Sequence, residues 1–268
     1  MIHGAALVLS IIVLLLSAAG IGMVLRGRLR ESHRTSETVD QVRMVVSILV
    51  TFTALVLSLL LSEVKSSFDT FDARLRAFAG DLANLDIHLR EYGPDAEPVR
   101  ALLREYVAAA IADDWRDEPP PSGDYPRFGK AVGVGRQQLG ALLIKVDIGI
   151  HRLDGQDRFH QRLAQSLSSQ IDGALQARRQ LIETSQNTIA WPLILAMWAW
   201  LAVIFAVFGL LSPRNAVVHL SIVTCALCVA SAIFLIHDFD SPLDGVMHIS
   251  SKPMRDALQQ IDEGSVGQ

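Results

Sequence analysis

Three aspartates near the C-terminus are the residues whose type and spacing could bind a metal ion. Asp238, Asp240 and Asp244 lie within seven residues, and carboxylate oxygens at such short spacing resemble the ligand set of a Ca²⁺ site. A calcium loop of the helix-loop-helix kind also needs a glutamate at its last position and a glycine at a fixed position, and both are absent here. The pattern therefore favours a structured turn over a metal site.

The same segment carries turn signals followed by the start of a helix. Pro242 and Gly245 predict a tight turn, in which Gly245 adopts a positive φ and Asp240 accepts hydrogen bonds. Ser250 or Ser251 is expected to cap the short helix that follows. The alternative role is a pore mouth or a docking turn for a partner, and its candidate residues are Asp238, Asp240, Pro242, Gly245, Ser250 and Arg255.

No group of residues has the pattern of a catalytic site. Cys225 and Cys228 lie one helical turn apart in an apolar stretch, and a metal or redox role would need further ligands nearby. His88, His151 and His160 lie on predicted exposed helices without an evident Ser or Cys partner. The sequence therefore predicts a protein without enzymatic activity, cofactor or bound metal.

Four long apolar stretches must position all of these residues. They contain no Asp, Glu, Lys or Arg, and they cover residues 5–25, 44–61, 189–211 and 216–236. Each is close to the roughly 20 residues with which a helix crosses a bilayer. We therefore predict an all-α polytopic membrane protein, with four transmembrane helices and a helical water-exposed insert between helices 2 and 3.

The predicted spans divide the chain into four segments. Residues 1–63 form two transmembrane helices with a short Arg-rich loop, and residues 64–188 form the insert with its heptad stalk. Residues 189–237 form two more transmembrane helices, and residues 238–268 form a C-terminal turn and a short helix. The net charge of -4 does not indicate a nucleic-acid partner. The expected partners are the lipid bilayer and further copies of the chain.

The distribution of arginines predicts the topology. Five arginines lie in or beside the first connection, whereas residues 1–4 contain no Lys or Arg: Arg26, Arg28, Arg30, Arg34 and Arg43. Positive loops remain in the cytoplasm. This places the N-terminus and the insert on the outer side of a cell (inner) membrane.

A heptad pattern is the clearest regularity of the insert. Apolar residues recur at alternating spacings of 4 and 3, which is typical of a helix that buries one stripe: Val64, Phe68, Phe71, Leu75, Phe78, Leu82, Leu85 and Leu89. Nothing breaks the helix between the second span and this stripe, so one long helix ending at Gly93-Pro94 is predicted. Further helices are predicted over 97–114, over 137–153 and from about 157 toward the third span.

The stripe has two possible partners. In one interpretation it packs against the 157–187 helix of the same chain, as in an antiparallel bundle. In the other it forms a seam between subunits, and the seam residues are then Phe68, Phe71, Leu75, Phe78 and Leu82.

The tail also carries a resemblance to a known family. Asp240-Ser-Pro242-Leu-Asp-Gly245 directly after the last span, followed by Ile249-Ser-Ser-Lys-Pro253-Met-Arg255-Asp, resembles the C-terminal signature of an uncharacterised family of bacterial bestrophin-like membrane proteins. The four-span layout agrees with that family over nearly the whole chain. Bestrophins are pentameric anion channels with a mostly cytosolic helical domain, so the resemblance places the insert on the opposite side from the arginine pattern.

Two functions follow from these observations. The resemblance implies a homo-oligomeric ion channel, and anions are the ions it implies. Because the spans contain few polar residues, a pore would have to form between subunits. The alternative is a membrane-anchored interaction or sensory protein that acts through its helical insert, which carries an exposed Pro119-Pro-Pro loop.

Overall fold

The computed structural model describes residues 2–28, 36–128, 134–155, 157–186, 191–213, 215–243 and 245–266. In chain order the helices are α1 (Ile2–Arg28), α2 (Ser36–Tyr92), α3 (Glu97–Asp114), α4 (Val134–His151), α5 (Arg158–Gln186), α6 (Trp191–Leu211), α7 (Ala216–Phe239) and α8 (Lys252–Val266). A short 3-10 turn, Pro94–Ala96, joins α2 to α3. The described ranges contain no strand. The predicted all-α class is confirmed.

Four of these helices are long and apolar enough to span a membrane. The spanning stretches lie in Val8–Arg28, Ser36–Tyr92, Pro192–Leu211 and Ala216–Phe239, which confirms the four predicted spans. As predicted, α2 continues without interruption from its apolar stretch into the heptad stripe. It ends where Gly93 adopts a φ of 98° and Pro94 follows, because a left-handed glycine and a proline both stop a helix.

Contacts divide the chain into two compact units. The first, Met1–Phe68 with Thr188–His248, is called the membrane unit, and the second, Asp69–Asn187 with Ile249–Gln268, is called the insert unit. The boundaries differ from the four predicted segments at the tail, since the last residues pack with the insert helices. The apolar face of α8 buries Met254, Leu258 and Ile261, and α8 contacts α3.

In the membrane unit, α1 packs closely against α6 and α7. The α1–α6 crossing depends on two glycines. A Cβ atom on Gly22 would lie 1.9 Å from the carbonyl oxygen of Ala206, and one on Gly209 would lie 1.9 Å from that of Ala19. Small residues at such crossings allow helix backbones to approach closely in a bilayer.

In the insert unit, the heptad stripe is buried inside the chain itself. Phe71, Leu75, Phe78 and Leu82 are at most 5% exposed, and Phe78 makes an edge contact with Tyr106 of α3. The helix α2 also runs antiparallel to α5. Near one end the guanidinium of Arg74 donates to the Gln180 carbonyl and to the hydroxyl of Thr184, and near the other the rings of Tyr92 and His160 lie 5.1 Å apart.

The burial of the stripe decides between its two predicted partners. In the structure the stripe packs against helices of its own chain, as the intramolecular interpretation predicts. The seam between subunits is wrong for Phe71, Leu75, Phe78 and Leu82, because side chains already covered by their own chain have no surface to offer a second copy. Phe68 lies in the membrane unit, where it is half-buried and makes an edge contact with Phe239 at 5.3 Å.

A candidate docking site for the C-terminal tail

The turn after α7 is organised by Asp238. This residue is only 6% exposed, and its carboxylate accepts hydrogen bonds from the backbone N–H of Val246 at 2.7 Å and of Met247 at 2.8 Å. The sequence-based prediction gave Asp240 hydrogen bonds in this turn without naming their donors, and Asp240 is half-buried two residues later. Asp238 accepts these two bonds because it lies at the buried end of α7, and the hydrogen bonds of Asp240 stay a prediction.

Gly245 is required in this turn for a different reason from the one predicted. Positive φ values among the described glycines occur at Gly93 and Gly123, so the predicted positive φ at Gly245 is wrong. A Cβ atom at Gly245 would instead lie 2.9 Å from both the carbonyl oxygen and Oδ1 of Asp238. The glycine therefore permits the loop to approach Asp238 closely, while Pro242 lies half-buried in the turn.

The described residues of the turn do not form a metal site. Within the described ranges, no group of three His, Cys, Asp or Glu side chains could hold an ion. Asp244, the third aspartate of the predicted pattern, lies outside the described residues.

The start of α8 is fixed to the loop after α3. We call this contact the tail clamp, and it consists of Trp115, Glu118 and Pro119 on the loop with Ile249, Ser251 and Arg255 on the tail. The indole Nε1 of Trp115 donates to the carbonyl oxygen of Ile249 at 2.6 Å. Ser251 is fully buried, and its backbone N–H and hydroxyl both donate to the Glu118 carboxylate.

Arg255 completes the tail clamp by contacting both sides. Its Nε lies 2.6 Å from the Ser251 hydroxyl and 3.2 Å from Oε2 of Glu118, and its Nη2 donates to the Pro119 carbonyl at 2.6 Å. One guanidinium therefore connects the first turn of α8 to the Glu118 carboxylate and to the backbone carbonyl of Pro119. Next to it, the Ser250 hydroxyl accepts the Lys252 N–H, which is the predicted cap.

The electrostatics of Glu118 reflect this contact. Burial favours the neutral acid, but the hydrogen bonds from Ser251 and the charge of Arg255 outweigh it, so the pKa of Glu118 lies below its ordinary value. The ionised form is therefore the one that the tail clamp binds. Because Ser251 is fully buried, its hydroxyl is a structural donor that no substrate can reach.

Two arginines of the insert hold the second half of α8. Arg104 of α3 pairs with Asp262 at 2.5 Å, and the Nη2 of Arg90 donates to the Gln260 carbonyl at 2.7 Å. The buried carboxylate of Asp86 orients Arg90 through an Nε contact of 2.6 Å and binds Arg100 at 2.9 Å on its other oxygen. The tail is thus held along its length by charge-assisted hydrogen bonds.

The structure separates the six residues predicted for the tail site. Asp238, Asp240, Pro242 and Gly245 belong to the membrane unit, whereas Ser250 and Arg255 belong to the insert unit. Sequence reasoning missed Trp115, Glu118, Arg104 and Arg90. For Trp115 and Glu118 the sequence signal was a tryptophan beside a proline-rich acidic loop. Such a signal does not reveal a partner more than 100 residues away.

Comparisons with known proteins agree with this architecture. The sequence profile of the bestrophin-like domain matches residues 13–254. The crystal structure of a membrane protein has a similar fold, with a TM-score of 0.61 and 11% sequence identity over 95% of this chain and 98% of that one. At that identity the similarity is one of fold alone. No curated protein matches the chain.

Proposed function

Because the chain belongs to the bestrophin-like domain family, we propose that it is the subunit of a homo-oligomeric ion channel, without catalytic activity. Family membership supports a membrane protein with four spans per subunit. Anions are the proposed permeant ions, following the resemblance to anion-conducting bestrophins. The observation that carries the proposal is the surface of α2 inside the membrane unit.

The spanning part of α2 has three distinct faces. One face is buried in the membrane unit and includes Val46, Leu60 and Val64. A second face exposes large apolar side chains, such as Val45 at 63% and Leu59 at 62%, as expected for contact with lipid. The third is also exposed in the single chain, but its residues are small and mostly polar: Ser47, Thr51, Ala54, Ser58 and Ser62.

The third face suits contact with water rather than lipid. Ser47 and Thr51 donate their hydroxyl protons to the carbonyls one turn earlier, at 2.8 and 2.9 Å, which leaves oxygen lone pairs at the surface. Small residues spaced at 4, 3, 4 and 4 positions follow one side of the helix. One copy cannot enclose this face, so a ring of copies would be needed to line a pore with it.

Flux through proteoliposomes tests the proposal. The full-length protein should conduct under a KCl gradient, and the sign of the reversal potential should identify anions as the permeant ions. Ser58→Trp, on the small polar face, should reduce flux by about tenfold, because it places a bulky ring in the path. Leu59→Trp, which lies about 100° around the helix from Ser58 on the lipid face, is the matched control and should remain within about twofold of wild type.

Two results would contradict the proposal. An absence of flux for common anions and cations across pH would exclude channel activity. Unchanged flux in Ser58→Trp would place the conduction path elsewhere than on α2.

An interaction or sensory protein is the second candidate. It is favoured by Ile144 and Ile148, which lie one turn apart on α4 and are 49% and 44% exposed. If the insert binds a partner there, Ile144→Asp should abolish that binding without altering flux. Loss of flux with intact oligomers would instead assign the insert to the channel.

A further inference from the structure

A cavity of about 260 Å³ lies between the end of α3 and the loop that follows it. Its walls are mainly apolar or aromatic, and its lining includes Ala112, Asp113, Arg116, Tyr125 and Arg127. Tyr125 is well ordered by its surroundings, since it is 7% exposed and its hydroxyl donates to the Pro121 carbonyl at 3.2 Å. The volume is at the small end for ligand pockets and suits a molecule with a single ring.

The two arginines of the cavity walls differ in their hydrogen-bond partners. Arg116 is engaged by Asp113, with Nη2 donating to Oδ1 at 2.8 Å and Nε to the Asp113 carbonyl at 3.0 Å. Arg127 lies over the Tyr125 ring, 5.7 Å from its centroid. No hydrogen bond or ion pair joins its guanidinium to the part of the chain that the structure describes. Among the described residues that line the cavity, Arg127 is therefore the charged side chain that no carboxylate engages, and it is exposed.

A guanidinium beside apolar walls selects a particular ligand chemistry. Its planar fork of N–H donors matches a carboxylate, and a guanidinium held over an aromatic ring can still donate them to a ligand. The aromatic and proline walls can cover a flat apolar body, which inorganic phosphate lacks. We propose that this cavity binds a small carboxylate with an aromatic or aliphatic body, with Arg127 pairing to the carboxylate. This site is independent of ion conduction through the membrane unit.

Binding of benzoate to the full-length protein in detergent tests the inference. Ligand-observed NMR should give a dissociation constant of about 1 mM, the range expected for about nine non-hydrogen atoms. Benzamide has the same shape without the charge and should bind about tenfold more weakly. Arg127→Gln should weaken benzoate binding to the benzamide level, while Arg158→Gln, which removes an exposed arginine on α5, should leave it unchanged.

Filling the cavity gives a second test that does not depend on charge. Ala112→Trp should abolish benzoate binding while the melting temperature shows that the chain remains folded. Equal binding of benzoate and benzamide, or unchanged binding in Arg127→Gln, would overturn the assignment. Displacement of benzoate by inorganic phosphate at the same concentration would also overturn it, because the walls would then contribute nothing to recognition.

Discussion

At the residue scale, one carboxylate makes the tail clamp sensitive to acid. The pKa of Glu118 in the folded chain lies below its ordinary value of 4.5. Its contribution to stability is therefore fully present above pH 4.5 and is lost as the pH falls through the folded pKa. Burial alone would raise the pKa of Glu118, so its lowered pKa is caused by the partners Ser251 and Arg255.

The lowered pKa of Glu118 gives the first prediction. The melting temperature of wild type should fall more steeply than that of Glu118→Gln as the pH is lowered from about 4.5 to about 3. Asp117→Asn, a change at the exposed neighbouring position, should keep the wild-type slope. Identical pH profiles for wild type and Glu118→Gln would show that the carboxylate is not ionised in the clamp.

The second prediction concerns Asp238 and Gly245. Asp238→Ala leaves two backbone N–H groups without their acceptor and should cost about 2–4 kcal/mol of stability, more than Asp240→Ala. Gly245→Ala should cost about 1–3 kcal/mol because its methyl group meets Asp238. Thermal unfolding in detergent measures all three, and EDTA should leave wild type unchanged. A melting temperature that EDTA lowers in wild type but not in Asp240→Ala would make the acidic turn an ion site.

At the element scale, the membrane unit depends on how closely α1 and α6 approach. Their crossing places the carbonyl oxygens of Ala19 and Ala206 where the Cβ atoms of opposing residues would otherwise lie. Backbone cannot move aside as a flexible side chain can. A single methyl group at either glycine therefore has to separate the two helices.

The third prediction follows from this crossing. Gly22→Ala should lower stability by about 2–4 kcal/mol, because the separated helices lose packing along their length. Gly20→Ala is the matched control, since a Cβ there meets nothing within 4 Å, and it should be neutral or slightly stabilising. Equal effects of the two changes on the melting temperature would contradict the close crossing.

At the scale of the whole molecule, the charges of the loops predict which side of the membrane the insert occupies. The arginine-rich first connection predicts an insert on the outer side, whereas the bestrophin resemblance predicts an insert in the cytosol. The two assignments differ in which loop a membrane-impermeant reagent can reach.

Cysteine labelling in intact cells provides the fourth prediction. In a background with Cys225 and Cys228 replaced by serine, Ser122→Cys should react with an impermeant thiol reagent, while Ser32→Cys should not. The expected pattern follows from the excess of arginine near Ser32. The reverse pattern would establish the orientation of the bestrophins.

The sequence by itself determined the elements of this protein. Four uncharged apolar stretches require spanning helices, because a bilayer leaves no other way to satisfy the backbone. The bounds of α3 and the uninterrupted course of α2 also followed from local patterns, namely a 3.6-residue periodicity and the Gly93-Pro94 break. The tail motif identified the family, since its residues are contiguous in the chain.

Only the tertiary structure decided which residues meet. A heptad stripe requires a partner but does not name one, so burial of Leu82 and its neighbours was needed to choose α5 and α3 over a second subunit. Glu118 and Ser251 are separated by 133 positions, and no local periodicity reports such a contact. Likewise, the need for glycine at Gly245 comes from the carbonyl of Asp238 lying against it. That is a property of the folded turn rather than of the glycine's own φ.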